Sequence, residues 1–198
     1  MRTQRLSPDK YLTPTNIQVL REHAAALWKK RKSYRSSTDR LIVEILVGAG
    51  LRAQELCDID LQDLPFLKDN GQPEIYVRCG KGGVAGSVDI SSLLVGLIVD
   101  YVTKYRSRAA ATDPLFVGRT NKRLHYRVLY EKIKKLGREC GLTIAPHKLR
   151  RSYGVWAYSE TRDIMWVKNQ LRHSSVATTM IYADTLDTKR RTNAERMK

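Results

Sequence analysis

Apolar residues in this chain recur almost everywhere at helical spacing, and the pattern changes only once, to two short alternating runs around Gly80-Lys81-Gly82-Gly83. A single candidate hairpin cannot build a layered sheet, so the chain has to fold chiefly by packing helices. Thr13-Pro14-Thr15 offers a cap for a first helix carrying Ile17, Leu20, Ala24 and Leu27. A second is predicted to begin near Ser37 or Thr38, to bury Leu41, Ile42, Ile45 and Leu46, and to weaken at Gly48 and Gly50. Residues 74–79 and 84–90 read as the two strands of the hairpin. Ser91 or Ser92 caps a third helix with the stripe Leu94, Leu97, Ile98, Tyr101, Val102 and Tyr105. Beyond a short extended piece at 114–117, helices are expected over 126–140, 146–158, about 162–171, and from Ser174 past Tyr182. The expected fold class is α+β, mostly helical, with a small antiparallel β-sheet. One domain over residues 12–186 is expected, between an N-terminal arm (1–11) and a polar tail (187–198).

Charge narrows the partners. The 198 residues carry 36 Lys+Arg against 20 Asp+Glu, a formal net charge of +16. An excess of that size favours nucleic acid. No basic amphipathic anchor or lipidation motif points to a membrane, and the apolar stretches at 41–51 and 93–99 are too short or too interrupted to span one. The charge also alternates along the chain. A basic opening to Ser37 gives way to a stretch rich in Asp39, Glu44, Glu55, Asp58, Asp60 and Asp63, before the basic excess returns beyond Asp100. One face toward a polyanion and one away from it is the simplest expectation. Cys57, Cys79 and Cys140 lack the spacing of a disulfide framework or a zinc site, so no metal or cofactor is expected and a reducing cytoplasm is.

Several residues suit chemistry on a phosphate. In Pro146-His147-Lys148-Leu149-Arg150, the three-residue spacing places His147 and Arg150 on one helix face, where a guanidinium fork and a proton-exchanging imidazole meet. His173 lies just before a helix with Ser174 as its expected cap, and Tyr182 follows about two turns on. A phenol with a pKa near ~10 needs a base or surrounding positive charge to attack at neutral pH. Upstream, Arg52 and Glu55 are one helical turn apart, so the carboxylate is able to hold the guanidinium. Taken alone, that pair is equally an ordinary surface ion pair worth about 0.3–0.5 kcal/mol. Lys81 sits among glycines that permit close approach to a ligand, but the segment lacks the order of a Walker phosphate loop.

In order, these segments resemble the tyrosine recombinase (phage integrase) family over nearly the whole chain, from about Leu12 to Thr185. Gly50-Leu51-Arg52-Ala53-Gln54-Glu55-Leu56 resembles its first arginine box and Gly80-Lys81-Gly82 its hairpin lysine. His147-Lys148-Leu149-Arg150 resembles the second box, and Leu171-Arg172-His173-Ser174-Ser175 through Thr179 and Tyr182 the nucleophile segment. The resemblance implies a site-specific recombinase that breaks and rejoins double-stranded DNA through a 3′-phosphotyrosyl link. Tyr182 would be the nucleophile, Arg52 and Arg150 the clamps on the phosphate, and His147 and His173 hydrogen-bond donors. Lys81 would be the acid for the leaving 5′-oxygen, His147 the proton acceptor, and Glu55 a support. It also implies a tetramer on two DNA sites, an accessory DNA-bending protein where the sites require one, and a nucleoid-associated location in the cytoplasm.

Two departures stand out. Arg172 occupies a position where the family usually has Gly, which implies either a different loop path or an added phosphate contact. The hairpin after Lys81 is unusually neutral. No separate DNA-binding domain fits before Leu12, so the expectation is either an excised catalytic domain or a short form similar in size to fimbrial-type invertases. A non-catalytic architectural DNA-binding protein and a type IB topoisomerase-like relaxing enzyme are the alternatives.

Overall fold

Thr13 accepts a hydrogen bond from the backbone N–H of Asn16, and Pro14 follows it at the first helical position, so helix α1 (Pro14–Arg31) starts where the sequence predicts. In the computed structural model, described over residues 5–68, 71–78 and 85–186, α1 packs on α2 (Tyr34–Ala49). This second helix is the centre of the fold. Leu41, Ile42, Val43, Ile45 and Leu46 are all buried, because α1, α4 (Ser92–Tyr105) and α6 (Pro146–Thr161) surround it.

Helix α2 begins earlier than its apolar pattern suggests. Ser33 and Ser36 form a reciprocal capping box, and the hydroxyls of the next turn are internal. Thr38 Oγ1 donates to the carbonyl of Tyr34 and pairs with Tyr101 Oη at 3.0 Å, while Ser37 Oγ pairs with Tyr105 Oη at 2.9 Å. Read locally, these hydroxyls look like caps. Their partners come from α4, more than sixty residues away.

Strands β1 (Glu74–Val77) and β2 (Gly86–Asp89) pair antiparallel, Ile75 opposite Val88, with both of those side chains buried. Residues 114–117, expected to be extended, bend at Leu115 and Phe116 and bridge to Asp60 and Arg123 only at their two ends. Helix α5 (Tyr126–Glu139) buries Leu129, Ile133 and Leu136 and exposes Arg127, Lys135 and Arg138. Helices α7 (Ile164–Gln170) and α8 (Val176–Leu186) pack with α6 around a second apolar cluster of Val155, Val167, Leu171 and Tyr182. Ser175, one residue beyond the expected Ser174, accepts from the N–H of Ala177 at the start of α8. The arm residues Leu6 and Tyr11 lie against this cluster, and the Leu6 amide donates to Thr185 Oγ1. Among the described residues no helix is long and apolar enough to cross a membrane.

Part of the acidic stretch turns inward and is not a solvated face. Asp60 and Asp63 are buried and neutralised by arginines: Arg78 reaches Asp60 at 2.6 Å and Asp63 at 3.1 Å, and Arg123 reaches Asp60 at 2.5 Å. These contacts tie the end of β1 to the segment after α3 (Ala53–Asp58).

Candidate active site

Gly50 ends α2 in the left-handed conformation (φ +62°), and a Cβ there would stand 2.3 Å from the Tyr153 ring of α6. The sharp reversal leaves Arg52 as the residue that opens α3. Its side chain remains partly exposed, and it is held from behind by Glu55, whose Oε1 accepts from Arg52 Nη1 at 2.7 Å and whose Oε2 accepts from the Arg52 amide at 2.7 Å.

Glu55 binds more than its helix neighbour. Its carboxylate is buried, and Oε2 also accepts from Arg172 Nη2 at 2.5 Å and, more distantly, from Arg150 Nη1 at 3.4 Å. Burial alone would raise its pKa. Arg172, the Arg52 amide and Arg150 outweigh that and hold it below the usual carboxylate value. Arg150, from α6, is itself buried and is oriented mainly by backbone. Nη1 donates to Gly50 O at 2.9 Å and Nη2 to Leu171 O at 2.5 Å. Burial among other cations lowers its pKa to about 10, so it is charged at neutral pH.

The end of α7 positions His173. The N–H of His173 donates to Lys168 O and that of Arg172 to Asn169 O, the paired bonds of a Schellman motif, and Arg172 takes the left-handed position with φ +49°. Glycine suits that position because it has no Cβ; a side chain there costs on the order of 1 kcal/mol or more. Arg172 therefore leaves the loop path of a glycine intact. The guanidinium points inward, to Glu55 and to Gln170 O at 3.2 Å.

His173 Nδ1 pairs with Thr179 Oγ1 at 2.9 Å, which leaves Nε2 for a ligand. The imidazole lies 6.3 Å from the Tyr182 ring, nearly parallel to it. Burial first, then Arg150, Arg52 and Arg172, lower its pKa to about 4, so His173 is neutral at physiological pH. His147 stands at the start of α6 and is also held below the ordinary imidazole value, by desolvation and by Arg151, Arg150 and Arg52. Tyr182 is buried against Gly154, where a Cβ would come within 2.4 Å of its Cζ. Burial raises the phenol's pKa, and Arg150, Arg151 and Arg52 pull against that rise. At neutral pH the hydroxyl keeps its proton until a base takes it.

Arg52, Glu55, His147, Arg150, His173 and Tyr182, spread over 131 positions of sequence, thus converge. Lys81 lies outside the described residues. Strand β2 is tied to the end of α7, because the Gln170 side chain accepts from the Asp89 amide and donates to the Asp89 carbonyl, both at 2.9 Å. Sequence reasoning did not single out Thr179, Gly154 or Gln170. Thr179 lies within the quoted nucleophile segment, but nothing local marks it as the partner of His173.

The chain matches the Phage integrase family over residues 10–189. It is 36% identical over 147 residues to the tyrosine recombinase XerA of Pyrococcus furiosus, covering 73% of this chain and 49% of that protein. It is 34% identical over 182 residues to XerA of Thermococcus kodakarensis, covering 90% and 62% respectively. The chain therefore spans about half to three-fifths of these relatives. Among solved structures, a XerA recombinase superposes with a TM-score of 0.75 at 26% identity, over 95% of this chain and 65% of that one. A XerH site-specific recombinase bound to palindromic difH substrate, in a post-cleavage complex, superposes with 0.77 at 21% identity over 99% and 54%, a likeness of fold.

Proposed function

Because this chain belongs to the phage integrase family of tyrosine recombinases, we propose that it breaks and rejoins double-stranded DNA through a covalent link to Tyr182. The observation that carries this reading is the convergence of two arginines and two neutral imidazoles on one buried phenol. In it, Arg52 and Arg150 clamp the non-bridging oxygens of the scissile phosphate, and His173 Nε2 donates to one of them. The Tyr182 oxygen attacks phosphorus as the bond to the 5′-oxygen breaks. Neutral His147 accepts the phenolic proton and Lys81 supplies one to the leaving oxygen. Loss of one such contact with the transition state typically costs about 2.7–4 kcal/mol. The link conserves the energy of the broken phosphodiester, so a free 5′-hydroxyl can reverse the step on a partner strand.

Residues 12–186 would be the catalytic unit in this reading, acting as a tetramer on two DNA sites, aided by a DNA-bending protein where site geometry demands one. The exposed Arg127, Lys135 and Arg138 of α5 support a contact with the phosphate backbone, whose affinity should fall steeply with salt.

The test is a nicked suicide duplex of a sequence recovered by the protein from a randomised library. Wild type should form a covalent protein–DNA adduct, and Tyr182→Phe should bind with similar affinity and form none. An adduct that persisted in Tyr182→Phe would refute the assignment.

A further inference from the structure

We propose that Arg172 is a positioning residue whose inward guanidinium takes up the Glu55 carboxylate and so leaves the charges of Arg52 and Arg150 available to the scissile phosphate. The inference rests on the recombinase reading above and concerns a residue that touches none of the reacting atoms. Glu55 Oε2 lies 2.5 Å from Arg172 but 3.4 Å from Arg150. Arg172 has thus taken the near position on that oxygen, and Arg150 is held by the neutral carbonyls of Gly50 and Leu171. Arg52, Arg150 and Glu55 alone would leave one net positive charge in the cluster. Arg172 raises it to two.

The aliphatic part of the same side chain faces Gly86 of β2, where an added Cβ would lie 3.8 Å from Arg172 Cδ. Through Gln170, whose carbonyl also accepts from Arg172, the loop is joined to Asp89 in that strand. Arg172 therefore joins the α3 carboxylate to the end of α7 just before His173, and the Gln170 side chain in turn joins that end to β2. A glycine at this position would keep the Schellman geometry and lose the contacts to Glu55 and to the Gln170 carbonyl. The left-handed conformation, against an arginine's steric preference, is offset by what the far end of the side chain binds.

Two measurements on the full chain test this. The first is single-turnover cleavage of the suicide duplex by wild type, Arg172→Gly and Arg172→Lys. Arg172→Gly should cleave at least about tenfold more slowly, the scale of losing an outer supporting partner, with DNA affinity changed by less than about threefold. Arg172→Lys should recover most of the loss. The second is NMR titration of His173, among only four histidines in the chain. The groups facing its ring are Arg52 and Glu55 of α3, Arg150 of α6, Arg172 of the loop, and Thr179 and Tyr182 of α8. Removing Arg172 removes a repelling cation and leaves Glu55 less neutralised. Both changes should move the titration upward by about one pH unit, and Arg172→Lys should restore it. Absence of a wild-type adduct would defeat the recombinase reading itself. A wild-type adduct with Arg172→Gly equally fast would overturn only the present inference. So would a slower Arg172→Gly whose His173 titration does not move, because a purely structural role predicts that pattern.

Discussion

Replacing Glu55 by Gln removes one negative charge from a site where it meets three guanidiniums. In the native protein the buried carboxylate accepts from the Arg52 amide and side chain at 2.7 Å each, from Arg172 at 2.5 Å and from Arg150 at 3.4 Å. Glutamine keeps the volume and one acceptor, but its NH2 group turns donors toward donors. Breaking a buried ion pair by removing one partner costs about 3–5 kcal/mol. The lower end applies here, because Arg150 keeps the carbonyls of Gly50 and Leu171 and Arg172 keeps that of Gln170. About 3 kcal/mol in a chain of this length corresponds to a fall in Tm of roughly 6–12 °C.

The pH dependence supplies an internal control. The folded-state pKa of Glu55 is depressed from 4.5, so its contribution is fully present above that value and is lost as pH falls through the folded pKa. The stability gap between wild type and Glu55→Gln, measured by urea denaturation, should therefore be constant from pH 6 to 8 and close progressively below about pH 4.5. A Tm within about 2 °C of wild type at pH 7, or a gap independent of pH down to 3, would refute the claim that this carboxylate holds the arginine cluster together.

Other outcomes follow from single contacts. Thr179→Val conserves shape and deletes the partner of His173 Nδ1; cleavage should fall by about tenfold with DNA binding unchanged, measured by single-turnover adduct formation. Gly154→Ala places a methyl 2.4 Å from Tyr182 Cζ. It should destabilise by about 1–3 kcal/mol in denaturant titration and, by displacing the ring, slow adduct formation by on the order of a hundredfold.

Helices, the two paired strands and the i, i+3 relations of candidate site residues were legible because each depends on nearby residues. The stripe of α5, the Thr13 and Ser91 caps, and the i, i+3 relation of His147 to Arg150 or Arg52 to Glu55 are fixed by helix geometry. The start of α2 was misread because Ser37 and Thr38 carry capping chemistry yet serve the tyrosines of α4, Tyr105 and the buried Tyr101. Charge counted along a chain likewise does not say that Asp60 and Asp63 will be enclosed by Arg78 and Arg123.

Arg172 divides the two kinds of information most plainly. The sequence by itself determined a mostly helical chain and the order of its candidate site residues, since these follow from local spacing and side-chain chemistry, while the family resemblance marked Arg172 as standing where glycine is usual. Only the tertiary structure decided which way that arginine faces. A left-handed backbone at the end of α7 and a carboxylate 117 residues earlier turn it inward, onto Glu55. The direction is set by where unpaired charge lies in three dimensions, because a buried carboxylate must find cations from whatever part of the chain brings them within reach.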